Sequence, residues 1–191
     1  MKPYCFAALI RVKNDFVVIT MVYTGCAHAC PMTISKIKEI ENLAKVENLE
    51  LVPIKELIKK GIIKFFDGHG SPPAEYKGKG EIPYIRVKDI VNWEVYKDPT
   101  ARITNEIYLE KKGVNKDLQA CDIVYVRRGS YRIGSVAMVS PFDEEALYTR
   151  EILILRIASE ENEYGLNPYY LLYLLSHKLT HLQAKNKKIG R

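Results

Sequence analysis

The chain has 191 residues, of which 47% are hydrophobic, 27% charged and 10% aromatic. These fractions exclude a disordered chain, and the length suffices for one domain with a buried core, alone or with an appendage. No run of 18 apolar residues is present, so we expect no membrane-spanning helix and no membrane partner. The N-terminus lacks the apolar core of a signal peptide and free cysteines are common in reducing compartments, so we expect a cytoplasmic protein.

The net charge of +6 is spread unevenly along the chain. Residues 51–135 carry 16 basic and 11 acidic side chains, residues 136–175 carry 2 and 7, and residues 176–191 carry 5 and none. A basic region of this kind is typical of proteins that bind polyanions such as nucleic acids. Solvated lysine-rich faces would give the same totals, so charge alone leaves both interpretations open.

The predicted elements begin with a β-hairpin, because apolar and β-branched residues flank an Asn-Asp turn. Its strands are Phe6 to Val12 and Phe16 to Tyr23. Apolar residues at helical spacing from Ile34 to Ala44 then predict a helix that is capped near Thr33 or Ser35.

A second group of elements is expected from Leu51 onwards. An extended segment leads into a predicted helix from Ile54 to Lys60, which ends at Gly61. Ile62 to Phe66 predicts a short strand, and the glycine- and proline-rich residues 67–80 predict a loop.

Strands and irregular segments alternate in the middle of the chain. Ile82 to Val87 predicts a strand, residues 92–106 are expected to be mostly irregular, and Glu106 to Lys116 forms a polar stretch. Cys121 to Val126 and Ser135 to Val139 predict two strands joined by a basic turn.

The C-terminal third predicts one more strand, Ile152 to Ile157, and a helix. Asn167 suits the N-cap of this helix and Pro168 its first helical position. Tyr169 to Leu175 is expected to be its buried start, and a basic tail follows from residue 176.

Two segments resemble chemical motifs only in part. Cys26-Ala27-His28-Ala29-Cys30 holds three soft ligands, but a structural zinc site needs a fourth and no second pair follows. Asn167-Pro168-Tyr169-Tyr170 resembles the Asn/Asp-Pro-Pro-Tyr motif of amino-group DNA methyltransferases, but it lacks the second proline and a glycine-rich cofactor loop upstream. We therefore expect a tight connection at the first segment, a helix start at the second, and neither a metal nor another cofactor.

The clearest chemical signal is the basic turn between Val126 and Gly134. Arginine binds phosphate in a bidentate manner or reads the O6/N7 edge of guanine, and Ser130 and the Gly129 amide are able to donate to phosphate. A solvated basic hairpin remains the alternative interpretation.

A resemblance to a known family enters at Gly80-Glu81-Ile82-Pro83-Tyr84-Ile85-Arg86-Val87-Lys88-Asp89-Ile90. This segment resembles the G-x-I-P-Y/W-I-R-x-x-D-I signature of target recognition domains. Such domains occur in the specificity subunits of type I restriction–modification systems and at the C-terminal end of many fused adenine-N6 DNA methyltransferases.

Further pieces of the family pattern occur in the expected order. Leu51 to Leu57 is similar to the opening v-p-L-x-e-L segment, and Gly70 to Tyr76 to the G-x-s-P…Y loop. Ala120 to Gly129 is similar to G-D-I-l-x-x-R-x-G, although Ala120 and Cys121 replace the usual residues before the aspartate. The remaining segments of the family pattern are similar to residues 133–139, 154–157 and 167–175 of this chain.

The resemblance covers about residues 51–185 and implies an α+β fold with a small curved, mostly antiparallel sheet and flanking helices. It implies a DNA target recognition domain at residues 51–175, preceded by a connector-like hairpin and helix at 1–50 and followed by a basic C-terminal helix or tail at 176–191. A full specificity subunit has two recognition domains and this chain has one. We therefore expect a half-sized subunit or a detached part of a larger methyltransferase.

The function implied by the resemblance is sequence-specific recognition of double-stranded DNA. The chain itself is expected not to be an enzyme; an adenine-N6 methyltransferase partner, with or without a nuclease, supplies the chemistry. Pairing of two copies through the C-terminal helix is a further expectation. The expected DNA-binding residues are Gly70, Ser71, Tyr76, Lys77, Lys79, Arg86, Lys88, Arg127, Arg128, Ser130, Tyr131 and Arg132. A small DNA-processing enzyme and a protein-interaction adaptor without DNA specificity remain the alternatives.

Overall fold

Residues 7–9, 42, 51–112, 117–129, 132–159, 161–177 and 180–181 are described by the computed structural model. Several sequence predictions fall outside these residues. They are the strand Phe16 to Tyr23, the helix from Ile34 to Ala44, the segment Cys26 to Cys30, the side chains of Ser130 and Tyr131, and the tail from residue 182 onwards.

The described chain alternates short strands with short helices. The strands are β1 (Ala7–Leu9), β2 (Leu51–Pro53), β3 (Ile63–Asp67), β4 (Ile82–Ile85), β5 (Ile90–Val91), β6 (Glu94–Val95), β7 (Arg102–Ile103), β8 (Ile123–Val126), β9 (Val136–Met138), β10 (Leu147–Tyr148) and β11 (Ile152–Ile157). The α-helices are α1 (Ile54–Lys59), α2 (Asn105–Lys112) and α3 (Pro168–Ser176), and single 3₁₀ turns form at Ala74–Tyr76 and Val87–Asp89.

The prediction of an α+β fold with mostly antiparallel sheets is confirmed. The pairings of β1 with β2, β4 with β7, β5 with β6, and β8 with both β9 and β11 are antiparallel, whereas β4 and β10 run parallel. The β-structure is divided among small sheets, because most strands are only two to four residues long.

The four-stranded sheet has the order β3-β11-β8-β9. All four residues of β8 are buried, as expected for an interior strand whose two faces are both covered. The turn between β8 and β9 closes an antiparallel hairpin, which confirms the predicted strand–turn–strand around the arginines. The buried cluster against this sheet consists of Ile85, Ile90, Leu118, Val124, Val126, Ala137, Val139, Ala146, Tyr148, Ile152 and Ile154.

A buried ion pair links β8 and β11. The Arg156 guanidinium donates from Nε and Nη2 to the two carboxylate oxygens of Asp122, at 2.7 Å each. Asp122 is 1% exposed, and its Oδ2 also accepts from the Gln119 amide at 2.8 Å. The guanidinium lies over the Phe66 ring and donates to the Asp117 carbonyl, so the bidentate pair is well satisfied by its surroundings. The hydrogen bonds to Asp122, followed by the charge of that carboxylate, raise the pKa of Arg156.

Residues 92–106 are mostly irregular, as expected, and the polar stretch that follows them forms a helix that the sequence did not predict. The irregular segment contains β6 and β7, and residues 105–112 form α2. α2 buries only Ile107 and Tyr108, so its sequence lacks the regular apolar stripe that identifies a helix. Both residues pack in a second cluster with Ile82, Tyr84, Ile103 and Leu147.

Helix α3 begins as the sequence predicts. The Asn167 side chain accepts a hydrogen bond from the Tyr170 amide at 2.9 Å, and Pro168 occupies the first turn. The expectation that Tyr169 lies in a buried start is wrong, because its side chain is 67% exposed. The buried face is formed by Leu171, Leu172, Leu174 and Leu175, and Tyr173 lies on the exposed face.

By chain position, one unit comprises residues 1–64 and 157–191 and the other residues 65–156. The functional division at residues 50 and 175 stays a prediction. Among the described residues, no helix has the length and apolar character needed to cross a bilayer.

Candidate nucleic-acid interface

Three segments within residues 65–156 lie next to one another in space, near the start of β11. They are the glycine loop (residues 67–71), the connection between β10 and β11 (residues 149–151), and the arginine turn (residues 127–134). The amide of Arg127 donates to the Glu151 carbonyl at 3.0 Å, which joins the arginine turn to the second segment. The sequence predicts a site in the first and third segments, but not that they would lie together.

The glycine loop is held on the backbone of the β10–β11 connection. The amide of Gly68 donates to the Ile152 carbonyl at 3.3 Å, and that of His69 donates to the Tyr148 carbonyl at 3.0 Å. A Cβ at Gly68 would lie 2.0 Å from the Thr149 carbonyl oxygen. Only glycine allows this approach, so Gly68 is required for the loop to pack at this position.

Gly70 brings the loop against Arg150, a residue that the sequence analysis did not select. Gly70 has a φ of +112°, and a Cβ there would lie 3.1 Å from the Arg150 Nε. Arg150 is exposed, whereas Gly70 is buried. The sequence does carry a signal for Arg150, because Arg150 lies between two apolar strands, as the arginines of the arginine turn do.

Arg127 is engaged within the protein. Its Nη1 lies 2.6 Å from the Asp67 carboxylate, and its Nε and Nη2 donate to the Arg150 carbonyl at 3.2 and 2.9 Å. These contacts tie the arginine turn to the two neighbouring segments. The structure thus places Arg127 as a residue that positions the site.

Arg128 is exposed and faces the charge of Glu151. The pKa of Glu151 is lowered by a hydrogen bond from the Thr149 hydroxyl and by the charges of Arg128 and Arg127. A Cβ at Gly129, whose φ is +87°, would lie 2.7 Å from the Glu151 Cγ. Glycine is therefore required for the turn to lie this close to Glu151.

Arg132 is half-buried, and its Nη1 lies 3.4 Å from the Ile90 carbonyl oxygen. Arg127 and Arg132 thus have partners in the protein, and their predicted contacts with DNA stay a prediction. Of the three arginines in the turn, Arg128 is the exposed side chain.

Arg86 and Lys88 belong to an ion network after β4. The Arg86 Nε donates to Asp89 at 2.9 Å and its Nη2 to Asp98 at 2.5 Å, while Lys88 lies 3.2 Å from Asp98. Asp89 is 2% exposed and also accepts from the Arg86 amide at 2.8 Å. Hydrogen bonds from Thr100, followed by those from Arg86 and Lys88, lower the pKa of Asp98, and hydrogen bonds to Asp89 and Asp98 raise that of Arg86.

Lys77 and Lys79 lie on the exposed part of the loop before β4. The Gly78 amide between them donates to the Arg102 carbonyl at 2.8 Å, so the backbone between the two lysines is anchored. Tyr76, just before them, is 37% exposed. The side chains of the two lysines are exposed, in agreement with the polyanion contacts predicted for this loop.

Ser71 is exposed and accepts a hydrogen bond from the buried Tyr84 hydroxyl at 3.2 Å. This contact fixes the loop end next to β4 and leaves the serine hydroxyl able to donate. The site therefore offers neutral donors beside cations, a combination that suits phosphate oxygens.

Four cations stand out by exposure: Lys77, Lys79, Arg128 and Arg150. Within the described parts of the chain, none of the four forms an ion pair or a side-chain hydrogen bond. Uncompensated cations on anchored loops attract phosphate, and arginine is also able to read guanine. The same described residues contain no group of three or more His, Cys, Asp or Glu that could hold a metal ion.

No protein-family model and no curated protein matches the chain. Solved structures do match. The HsdS subunit from Thermoanaerobacter tengcongensis has 18% sequence identity and a TM-score of 0.45, and the match covers 64% of this chain and 27% of that chain. A chain from a structure on complex assembly and conformational transition of the type I restriction–modification system has 16% identity and a TM-score of 0.42, covering 69% and 27%.

The first neighbour is an HsdS subunit and the second comes from a type I restriction–modification system, the kind of system whose specificity subunits the sequence motifs resemble. The chain spans about a quarter of the length of each.

Proposed function

We propose that this chain is the double-stranded DNA recognition module of a restriction–modification system and directs a partner adenine-N6 methyltransferase to its target. The observation that carries the proposal is the position of Lys77, Lys79, Arg128 and Arg150. All four are exposed cations on loops: Arg128 occupies a variable position inside one family-like segment, and the other three lie between such segments.

The proposal assigns different tasks to the four cations and to the anchored groups. Lys77 and Lys79, as compact charges on flexible stems, contact phosphates and position the duplex. Arg128 and Arg150 approach the groove, where an arginine is able to pair with a guanine edge. The contacts of Arg127 hold the two arginine-bearing segments together, so base readout occurs from a rigid support.

Chemistry is assigned to the partner. Loops that vary in sequence between fixed motifs select the target, and a methyltransferase subunit that uses S-adenosylmethionine modifies the adenine. A nuclease associated with the same complex would use the same target. The predicted pairing of two copies through the C-terminal helix is a separate question, to be answered by the mass of the chain in solution.

A binding titration at several salt concentrations tests the DNA proposal. The chain is mixed with a pool of randomised duplexes, the retained sequences are enriched, and the affinity for an enriched and a scrambled duplex is measured. Each phosphate neutralised contributes about 0.9 to the slope of log affinity against log salt. The double variant Arg128→Ala/Arg150→Ala should lower this slope by roughly two if both arginines contact phosphate; base contacts should instead reduce the preference for the enriched duplex.

The matched control is Lys55→Ala/Lys59→Ala, which removes two exposed cations from α1. It should leave both the slope and the preference unchanged, since α1 is not part of the interface. If no duplex is enriched, or if the two double variants weaken binding equally, the proposed interface is refuted.

A further inference from the structure

One phenylalanine side chain, on the connection between β9 and β10, is almost fully exposed to solvent. Phe142 is 87% exposed, more than any other large apolar side chain that the structure describes. Exposed apolar side chains are common singly and need no explanation by themselves. Phe142 differs from such residues because neighbouring groups hold its backbone in place.

The turn that carries Phe142 is closed by its neighbours. The Asp143 amide donates to the Ser140 carbonyl at 2.9 Å, and the Asp143 carboxylate accepts from the Ser140 hydroxyl at 2.5 Å and from its amide at 3.1 Å. Asp143 is 7% exposed, so the carboxylate lies beneath the turn. The Phe142 amide is directed at the Ser140 hydroxyl oxygen, 3.3 Å away.

Lys97 holds the same turn from a second segment. Its Nζ donates to the Phe142 carbonyl at 2.7 Å and lies 3.0 Å from the Asp143 carboxylate. The backbone of Phe142 is thus fixed on both sides while its ring remains in water. An apolar group presented on a rigid backbone loses little conformational entropy on binding, which is the property of an interface anchor.

The surroundings of Phe142 are acidic. Glu144 and Glu145 follow the turn and are exposed, and Glu144 accepts a hydrogen bond from the Ala120 amide at 2.8 Å. The Asp143 carboxylate in the turn is paired with Lys97, so Glu144 and Glu145 leave a local excess of negative charge. Carboxylates in this position repel phosphates, so DNA does not suit the turn. A protein with an apolar pocket bordered by lysine or arginine suits it.

Two further exposed aromatic residues belong to the segments that contact this region. Trp93 is 49% exposed, and its carbonyl accepts from the Met138 amide of β9 at 3.0 Å. It has a φ of +69°, which is uncommon for a bulky residue and is often retained at functional sites. Tyr96, the residue before Lys97, is 58% exposed.

We propose that the Phe142 turn is the docking anchor for the partner methyltransferase, which offers an apolar pocket with a basic rim. This inference rests on the proposed function, because it assigns a surface to the partner proposed there. Interface anchors are most often aromatic and fill a desolvated pocket, while charges at the rim set the rate and the choice of partner. DNA and methyltransferase then bind different surfaces of the chain, one basic and one acidic.

The test measures, by titration calorimetry, the affinity of the chain for the adenine-N6 methyltransferase subunit proposed as its partner. Phe142→Ala should weaken the complex by about 30-fold or more. Phe65→Ala, which removes a phenylalanine 52% exposed on β3, is the matched control and should leave the affinity unchanged. Glu145→Lys should slow association, with an effect that diminishes at high salt.

DNA binding of each free variant is measured in parallel, so that the two proposals fail separately. Normal DNA binding with weakened methyltransferase binding in Phe142→Ala supports the anchor. Loss of DNA binding in the parent chain refutes the proposed function but not the anchor, if the methyltransferase still binds through Phe142. No complex with the methyltransferase, or equal affinities for Phe142→Ala and Phe65→Ala, overturns the anchor.

Discussion

Two groups of arginines within residues 65–156 differ in what they contact. Arg156 and Arg86 bind buried carboxylates, at Asp122 and Asp89 respectively. Arg128 and Arg150 are exposed and, within the described ranges, have no carboxylate partner at ion-pair distance. All four are the same residue type, so composition and charge count them equally.

This difference between paired and exposed arginines indicates which role the family-like motif residues have in the fold. Asp122 and Arg156 come from two separate motif segments and meet in a bidentate pair, and Arg86 and Asp89 meet within a third. These motif residues therefore specify how strands join, while the exposed cations stand beside them.

The largest expected effect comes from breaking the buried pair. Arg156→Met keeps an apolar stem near Phe66 but leaves the Asp122 carboxylate buried without its counter-ion. The free energy of unfolding should fall by about 3–5 kcal/mol. Urea unfolding followed by circular dichroism measures it, and Arg128→Met, the same change at an exposed site, should cost less than about 0.5 kcal/mol. Equal stability of the two variants would show that the internal arginines have no special structural role.

A smaller loss is expected from Gly68→Ala. The added Cβ would overlap the Thr149 carbonyl oxygen, so the glycine loop must shift, at a cost of about 1–3 kcal/mol. Because this loop contacts the Arg150 segment, DNA affinity should fall as well. Gly165→Ala, where the φ is +58° and nothing lies within 4 Å, is the control: it should lower stability only. Thermal unfolding and duplex titration of both variants separate the two effects.

Arg86→Met distinguishes a structural arginine from a DNA-binding one. The sequence analysis selected Arg86 as a DNA contact, but the structure joins it to Asp89 and Asp98. The variant should lose stability and keep the parent's preference for the enriched duplex, whereas Arg128→Met should keep stability and reduce that preference. A lowered salt slope in a folded Arg86→Met protein would instead show that Arg86 contacts a DNA phosphate.

The smallest expected effect is a change in pH dependence at Asp98. Its pKa is lowered in the folded chain, chiefly by hydrogen bonds from Thr100, so the carboxylate stabilises the fold above its ordinary pKa of 3.8. That contribution is lost as the pH falls through the lower folded value. Asp98→Asn should therefore be less stable than the parent at neutral pH, with the difference shrinking towards about pH 3. Thermal midpoints across that range measure it; a constant difference would exclude the titration of Asp98 as its cause.

Much of the fold could be predicted because its signals are local. Gly61 follows α1 with a φ of +74°, Asn167 caps α3, and the β8–β9 hairpin surrounds its basic turn as expected. The short strands β6, β7 and β10 could not be predicted, since two residues are too few for a periodicity to appear. β10 also pairs in parallel with β4, across more than 60 residues of chain.

The site residues stay a prediction, but the structure shows which of the predicted cations are exposed and which are paired. The sequence selected the arginine turn and the Gly68–Gly80 loop, and the structure brings the start of that loop beside the turn through the β10–β11 connection. It adds Arg150 and removes Arg86 from the exposed set, because exposure and pairing depend on which carboxylates arrive from distant segments.

The sequence by itself determined the longer strands, helices α1 and α3, the overall charge and the resemblance to a recognition domain, because each depends on residues that are neighbours in the chain. Only the tertiary structure decided which arginines are paired. Asp122 and Arg156 are 34 residues apart, and Arg127 and Asp67 are 60 residues apart, so no local pattern relates them. A guanidinium that finds a buried carboxylate becomes part of the fold, and one that does not remains available to a ligand.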